Sequence, residues 1–387
     1  MVNGPLWCYF YAMKYVDNEN PMASMRFSCT QVSPNSLVYG TEDDLRKGLS
    51  SIETYAKPER VFVENNCSVS LVGDDVQGIA DQMDLPWPVY AVDSGGMKGS
   101  FEAGYSAASL RIEKEMKTKE KIPASVNVLG LSTVHMKGRE DAEEIRRLLS
   151  LSGIRVISMP GGGSNWEDIM DAPSASLNVV VRDELGLSLA KQMEQDFGTP
   201  YMSCGLPYGT DGTMAWLSEI IEKLGAGELT RASHEAAKLK EFLLRKGNNL
   251  ESLWGPLWFD AVLISAPPSE ALGIAETIRS EWIDTARLVI HAPCATEKTT
   301  PAADAIRIVM KNEKEISKDY EDWQGGLILA SSHETHLLTR MGKPFTGFHI
   351  ALPSHDEVHF SDLPQCGLRG AGYLYEQLWN AKLRKKG

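Results

Sequence analysis

The sequence predicts an α/β protein of three Rossmann-like domains, with parallel sheets set around a central cleft. Three observations predict it. Short apolar runs alternate with amphipathic stretches along almost the whole chain, the pattern of strands joined by crossover helices. The runs are punctuated by glycine, proline and aspartate, which close strands and open helices. The pattern also restarts twice, and 387 residues are too many for one ordinary core.

The first series, over residues 1–120, holds the strand RVFVEN, the helix DDVQGIADQM, the strand PVYAVD and the helix GSFEAGYSAASLRIEKEMK. Asp74 or Asp75 is placed to cap the helix that follows Gly73. The charged stretch KTKEKIP, ending in Pro123, marks a boundary. The second series covers residues 121–250. It has the strand SVNVLGLS, the amphipathic helix GREDAEEIRRLLSLSG closed by a glycine, and the strand IRVIS with a glycine-rich exit. The strand SLNVVVRDE, the helix LGLSLAKQMEQDFG, and a short strand and helix within residues 199–225 follow. Polar helical sequence from about Glu228 to Asn248 serves as a linker. The third series, residues 251–387, carries the strands FDAVLISA, ARLVIHAP and GGLILAS. Its helices are SEALGIAETIRSEW, ETHLLTRMG and a C-terminal GAGYLYEQLWNAKLRKKG, whose last Lys and Arg residues suit the negative end of a helix dipole.

Composition excludes some functions. The net charge of −13 argues against binding a phosphate backbone, so no nucleic-acid partner is expected. No apolar run approaches the roughly 18–20 residues of a membrane span, and the N-terminal stretch lacks the features of a secretory signal. A cytoplasmic protein without a disulfide framework is the expectation. The six cysteines are Cys8, Cys29, Cys67, Cys204, Cys294 and Cys366, and no CxxC pair occurs among them.

Cys67 ends a strand and precedes a helix. Open parallel sheets place their ligand sites outside the carboxyl ends of strands, so this thiol sits at a functional edge. Asn65, Asn66 and Ser68 give it a polar neighbourhood. Cys8 and Cys29 lie in the same series. Three thiols could ligate iron, but a [4Fe–4S] cluster takes four protein ligands, so a second chain is the natural source of the remainder.

The order of these fragments is telling. Gly4-Pro5-x-x-Cys8 is followed by Cys29, then by VYGTEDDL with Gly40-Thr41-Glu42, and then by Cys67 ahead of VGDD at Val72–Asp75. Together with PVYAVDSGG, the stretch resembles the N-terminal domain of nitrogenase component 1 type proteins. GREDAEEIRRLLSLSGIRVISMPGGGS and MGKPF…LPSHDEVHFSDLPQCGLRGAGYLYEQLWNA resemble the later domains, so the likeness covers essentially the whole chain. That superfamily includes the nitrogenase α and β subunits, the scaffold pair that matures the nitrogenase cofactor, the dark-operative protochlorophyllide reductase subunits, the coenzyme F430 reductive cyclase and the methylthio-alkane reductases.

The resemblance implies a nitrogenase-like oxidoreductase subunit in which Cys8, Cys29 and Cys67 bind an iron–sulfur cluster, of the [4Fe–4S] or P-cluster type, at a subunit interface. It implies two partners: a second component 1-like chain, identical or sister, and a nitrogenase-reductase-like iron protein that hydrolyses ATP. A non-catalytic scaffold for a nascent metal cluster needs the same cysteines and fold, and a cluster-free α/β protein for a small ligand is the third reading. The likeness does not name the substrate.

Departures from the family pattern shape the expectation further. The chain starts almost on top of the first cysteine motif, where relatives carry a strand or more. The strand SLNVVVRDE has Val180 and Val181 where α-type nitrogenase subunits carry a cofactor-ligating cysteine, so a β-type or compact member is expected. His349 falls near the α-subunit's cofactor-binding histidine, and His355 and His359 follow it. His349 and Cys294 are secondary candidates for a metal. Cys204 and Cys366 read as structural, and the MPGGGS loop fits neither nucleotide fingerprint. No carboxylate pair stands out as an acid–base couple, and the catalytic residues stay unassigned.

Overall fold

The computed structural model describes residues 1–20, 23–292, 306–309, 313–357 and 359–384. The chain divides into two compact units, Met1–Lys117 and Thr118–Gly387, at the charged KTKEKIP stretch. It is an α/β protein with three sheets, every strand pair in them parallel. Cys294 lies outside the described residues.

The first unit runs β1 (Val2–Asn3), α1 (Leu6–Glu19), α2 (Ser36–Tyr39), α3 (Glu42–Ile52), β2 (Val61–Asn65), α4 (Cys67–Val72), α5 (Val76–Asp81), β3 (Val89–Val92) and α6 (Phe101–Glu113). Its sheet has the order β1-β2-β3. One face of the sheet, through Val61, Val63 and Val89, buries against Leu45, Leu49 and Ile52 of α3 and Val76 and Ile79 of α5. The i, i+4, i+7 spacing on α3 puts those three side chains on one stripe, while Glu42, Asp43 and Asp44 occupy its first turn, where carboxylates suit the helix dipole.

The second unit holds two sheets. The first contains β4 (Ile122–Leu129), β5 (Arg155–Ser158), β6 (Ala175–Val180) and β7 (Tyr201–Ser203) in the order β5-β4-β6-β7. Its helices are α7 (Gly138–Leu151), α8 (Trp166–Asp171), α9 (Asp183–Phe197) and α10 (Thr210–Leu224). Helix α11 (Thr230–Trp254) then runs on without a break across position 250, where sequence composition had placed a boundary. The second sheet has β8 (Trp258–Ser265), β9 (Asp284–His291), β10 (Ile306–Val309), β11 (Leu327–Ala330) and β12 (Thr346–His349), ordered β10-β9-β8-β11-β12. With α12 (Pro268–Thr277), α13 (Glu313–Glu321), α14 (Ser332–Arg340) and α15 (Gly367–Arg384), it is a doubly wound layer whose order reverses beside β8.

One continuous apolar cluster joins both sheets of this unit, from Val126 and Val179 through Val262 and Leu329 to Leu374 and Trp379 of α15. Strand β11 is apolar without alternation, and most of β4 and β6 is buried on both faces, because helices cover both sides of these sheets. A buried ion pair pins the two sheets together: Arg182, just past β6, donates through Nε and Nη2 to Glu270 Oε1 of α12 at 2.9 and 2.6 Å. The start of α15 is fixed by Asp141 of α7, whose Oδ1 accepts the Gln365 and Cys366 amides at 2.7 and 3.0 Å.

Candidate metal centre

The three candidate thiols gather at the carboxyl edge of the first unit's sheet. Strand β1 pairs with β2, Val2 opposite Glu64 and Asn3 opposite Asn65, and on its other side Val2 bridges Cys29. The chain leaves β1 through Gly4, whose carbonyl accepts the Val32 amide at 3.1 Å. Pro5 then stands at the N-cap of α1 with extended backbone, and Cys8 falls in the first turn of that helix. Cys29 lies on the strand-like segment beside β1. Cys67 is the first residue of α4, immediately after β2.

Asn66 and Gly4 tie the three positions together. The Asn66 Oδ1 caps α4 by accepting the Val69 amide at 3.0 Å, and its Nδ2 donates to Cys8 Sγ at 3.2 Å. One side chain therefore orients the helix bearing Cys67 and bonds the sulfur of Cys8. Gly4 lies directly against it: a Cβ at Gly4 would stand 2.7 Å from Asn66 Cγ. The carbonyl of Gly4 also accepts the Cys29 thiol at 3.3 Å, while the Gln31 amide donates to the same sulfur at 3.4 Å. Across the edge, a Cβ at Gly96 would meet Cys67 Sγ at 3.1 Å. Glycine at positions 4 and 96 is thus what lets the backbone close around these sulfurs.

Cys8 and Cys67 are exposed and Cys29 is partly covered. Burial raises the Cys29 thiol above its ordinary pKa, the Gln31 amide pulls it down, and charge on the nearby Cys8 raises it again. Among the described residues no three His, Cys, Asp or Glu side chains converge as on a single ion. Thiolates that hold different irons of a cluster stand around the whole cage rather than around one centre. Three free sulfurs at one edge, two of them accepting N–H donors, form a donor set that fits such a cage.

The sequence motifs around the thiols have physical roles. Asp74 Oδ2 accepts both the amide and the hydroxyl of buried Thr41 at 2.6 and 2.7 Å, joining VYGTEDDL to VGDD. Asp75 caps α5 by accepting the Gly78 amide, and Gly73 closes α4 in the left-handed region. These residues lock α3, α4 and α5 behind Cys67. Of the polar neighbours, Asn65 accepts from Asn3 Nδ2 at 3.0 Å, on the strand side of the edge.

An apolar surface borders the thiols. On α1, Leu6, Trp7, Phe10 and Tyr11 are all more than half exposed, with Trp7 stacked on Tyr11 at 6.2 Å. Val38 and Tyr39 of α2 and Leu71 of α4 are exposed as well, Tyr39 at 87%. Single exposed hydrophobes are ordinary, but this number on the elements that carry or flank Cys8 and Cys67 is not.

The other candidates lie in the second unit. His349, at the end of β12, is buried, with Nε2 3.2 Å from Thr335 Oγ1 and Nδ1 2.9 Å from Ser354 Oγ. Val180 and Val181 are fully buried core residues. Cys204 sits against the Val180 carbonyl, its thiol pushed up to about 12, chiefly by burial. Cys366 is fully buried, with its thiol likewise far above the ordinary value. In the MPGGGS loop, a Cβ at Gly162 would strike Leu131 at 2.8 Å, Gly161 and Gly163 take left-handed backbone, and Ser164 Oγ accepts the Met159 amide, so the glycines serve packing and the turn.

Comparison with known proteins adds the lineage. The family model for nitrogenase component 1 type oxidoreductases matches residues 1–383. The chain belongs to that family. Among curated proteins, this component 1-type chain is 27% identical over 408 residues to the nitrogenase iron–molybdenum cofactor biosynthesis protein NifE of Nostoc sp., covering 98% of this chain and 79% of that protein. To NifE of Clostridium pasteurianum it is 28% identical over 260 residues, an alignment spanning 65% of this chain and only 54% of that protein. A light-independent protochlorophyllide reductase chain of Chloroherpeton thalassium is 22% identical over 373 residues, 92% of this chain and 69% of the relative. A solved structure, nitrogenase Cp1 at pH 6.5, superposes with a TM-score of 0.79 at 18% identity, covering 99% of this chain and 88% of that one, which extends the likeness to the fold.

Proposed function

We propose that this chain is one subunit of a nitrogenase-like iron–sulfur reductase, in which Cys8, Cys29 and Cys67 hold a cluster at a face completed by a second component 1-like chain. Its reductant is a separate ATP-hydrolysing iron protein. The observation that carries the reading is the gathering of three free thiols around Gly4 and Asn66 at the carboxyl edge of the sheet. When bound, such a cluster supplies one-electron transfer at a potential set by burial and by hydrogen bonds to its sulfurs.

The residues of this chain perform the rest. Asn66 and the Gln31 amide direct N–H groups at Cys8 and Cys29, which favours negative charge on those sulfurs. Gly4 and Gly96 keep the approach to the sulfurs clear of side chains. The exposed α1 and α2 hydrophobes supply the apolar contact through which a partner would exclude water from the edge.

Anaerobic purification with metal analysis and paramagnetic resonance tests the reading. Iron and broad visible absorbance are expected in the wild type and lost in Cys67→Ala. Full iron content in that variant defeats the ligand assignment.

A second reading, a scaffold that holds a nascent metal cluster for transfer, is favoured by the NifE relatives. Turnover with an iron protein, a reductant and ATP separates the two: it supports the reductase, and its absence with the cluster intact supports the scaffold.

A further inference from the structure

A pocket of about 310 Å³ opens in the second unit, where β12 and α15 meet the loop before α7. Its lining carries a net positive charge. The chain as a whole carries −13, yet the charged ends lining this pocket are Lys137 and Arg384 against a single carboxylate, Glu357. That carboxylate is turned to the histidines: its Oε2 accepts the His349 amide at 3.3 Å and lies 3.9 Å from His359 Nε2.

Lys137 is placed at a conformational cost. It is only 5% exposed, rare for lysine, and has φ +57°, a left-handed backbone that a bulky side chain seldom adopts. The next residue explains how it is held: a Cβ at Gly138 would stand 2.0 Å from Ser132 O, so only glycine lets the chain pass there. The Lys137 carbonyl accepts the first bond of α7, from the Asp141 amide at 2.8 Å. The ammonium donates to Ser361 O and lies 5.3 Å from the centre of the Tyr373 ring. Backbone of this kind persists only where the surrounding structure holds it.

His359 adds a second, independent sign. Its Nε2 is buried and has no hydrogen-bond partner among the described residues. Burial, together with Lys137 and His349 and against Glu357 and Glu140, holds the ring below its ordinary pKa. Phe348 and the fully exposed Phe360 complete the wall with apolar area.

We propose that this pocket binds a small organic oxyanion, a carboxylate or phosphate on an apolar body, with its charged end between Lys137, His359 and Arg384 and its body against Phe348 and Phe360. The cavity volume sets the size, at the small end of ligand pockets. The pocket belongs to the second unit and the thiols to the first, and its existence does not depend on the cluster reading.

Titration calorimetry on the full chain with phenyl phosphate and with benzoate tests it, alongside the His359 ring resonances at fixed pH. Saturable binding of either anion, with a shift of the His359 signals, is expected; benzyl alcohol should bind far more weakly. Lys137→Met should weaken binding at least about tenfold, the least expected from removing a charge-assisted contact. Lys137→Gly, which relieves the backbone, should keep the fold and still lose binding, and Lys137→Arg should retain most of it. Failure of both anions to bind, benzyl alcohol binding as well as they do, or Lys137→Met binding like the wild type overturns the proposal.

Discussion

Asn66 carries two functions that a pair of substitutions separates. Asn66→Asp keeps the oxygen that caps α4 and deletes the Nδ2 donor to Cys8; Asn66→Ala deletes both. Loss of an N-cap side chain costs about 1 kcal/mol, within a range of roughly 0.5–2, whereas exchange among Asn, Asp and Ser is nearly neutral. In urea unfolding of the metal-free protein, Asn66→Ala should therefore fall about 1 kcal/mol below wild type, and Asn66→Asp should stay within about 0.5 kcal/mol of it. The metal readout should run differently. Loss of a hydrogen bond to a ligand typically costs about 10–100-fold in affinity, so both variants should hold iron more weakly. Asn66→Asp should be the worse of the two, because it adds a carboxylate beside thiolates. Iron competition against a chelator, with unfolding run in parallel, measures both quantities. Equal destabilisation by the two variants, or wild-type iron retention in Asn66→Asp, would refute the dual role.

Further outcomes follow from other sites. Gly96→Ala should leave the metal-free fold intact but displace Cys67 Sγ, since the added methyl would sit at 3.1 Å, and so lower iron content on reconstitution. Arg182→Met should cost about 3–5 kcal/mol in urea unfolding by stranding Glu270, and the double variant Arg182→Met/Glu270→Met should recover much of it. Burial raises the Asp141 carboxyl from an ordinary 3.8 to about 6, against the pull of Arg182. The folded state thus binds this proton more tightly, and the associated stability is present below pH about 4 and lost as pH rises through about 6. Asp141→Asn should flatten that part of the stability–pH curve and keep an acceptor for the Gln365 and Cys366 amides; an unchanged slope between pH 4 and 6 would contradict the assignment.

Much of the fold was legible because buried strands and amphipathic helices write their periods into the sequence. Strands β4, β6, β8, β9 and β11 and helices α7, α9, α10 and α15 fall where their apolar patterns place them. Helix α1 was not legible. Its exposed Leu6, Trp7, Phe10 and Tyr11 sit beside buried Met13, so apolar residues surround the helix and no stripe stands out. Strand β1 has two residues, and its pairing with β2 is a contact across some sixty positions that no local pattern announces. Strand β12, TGFH, is nearly as short and carries a glycine that lies against Ile328 O. Gly4 and Pro5 in the first cysteine motif were visible, but their role was not: the glycine's value is the absence of a Cβ next to Asn66.

Residue order alone determined the family, the parallel α/β architecture and the choice of three candidate thiols, because lineage motifs and hydrophobic period are both properties of neighbours along the chain. Only the folded chain decided that Cys8, Cys29 and Cys67 share one edge, that Asn66 serves two of them, and that Lys137 and His359 face one pocket 222 positions apart in numbering. Those relations depend on the long-range registers β1 with β2 and β12 beside α15, and a register is fixed by the packing of a whole layer, not by any segment within it.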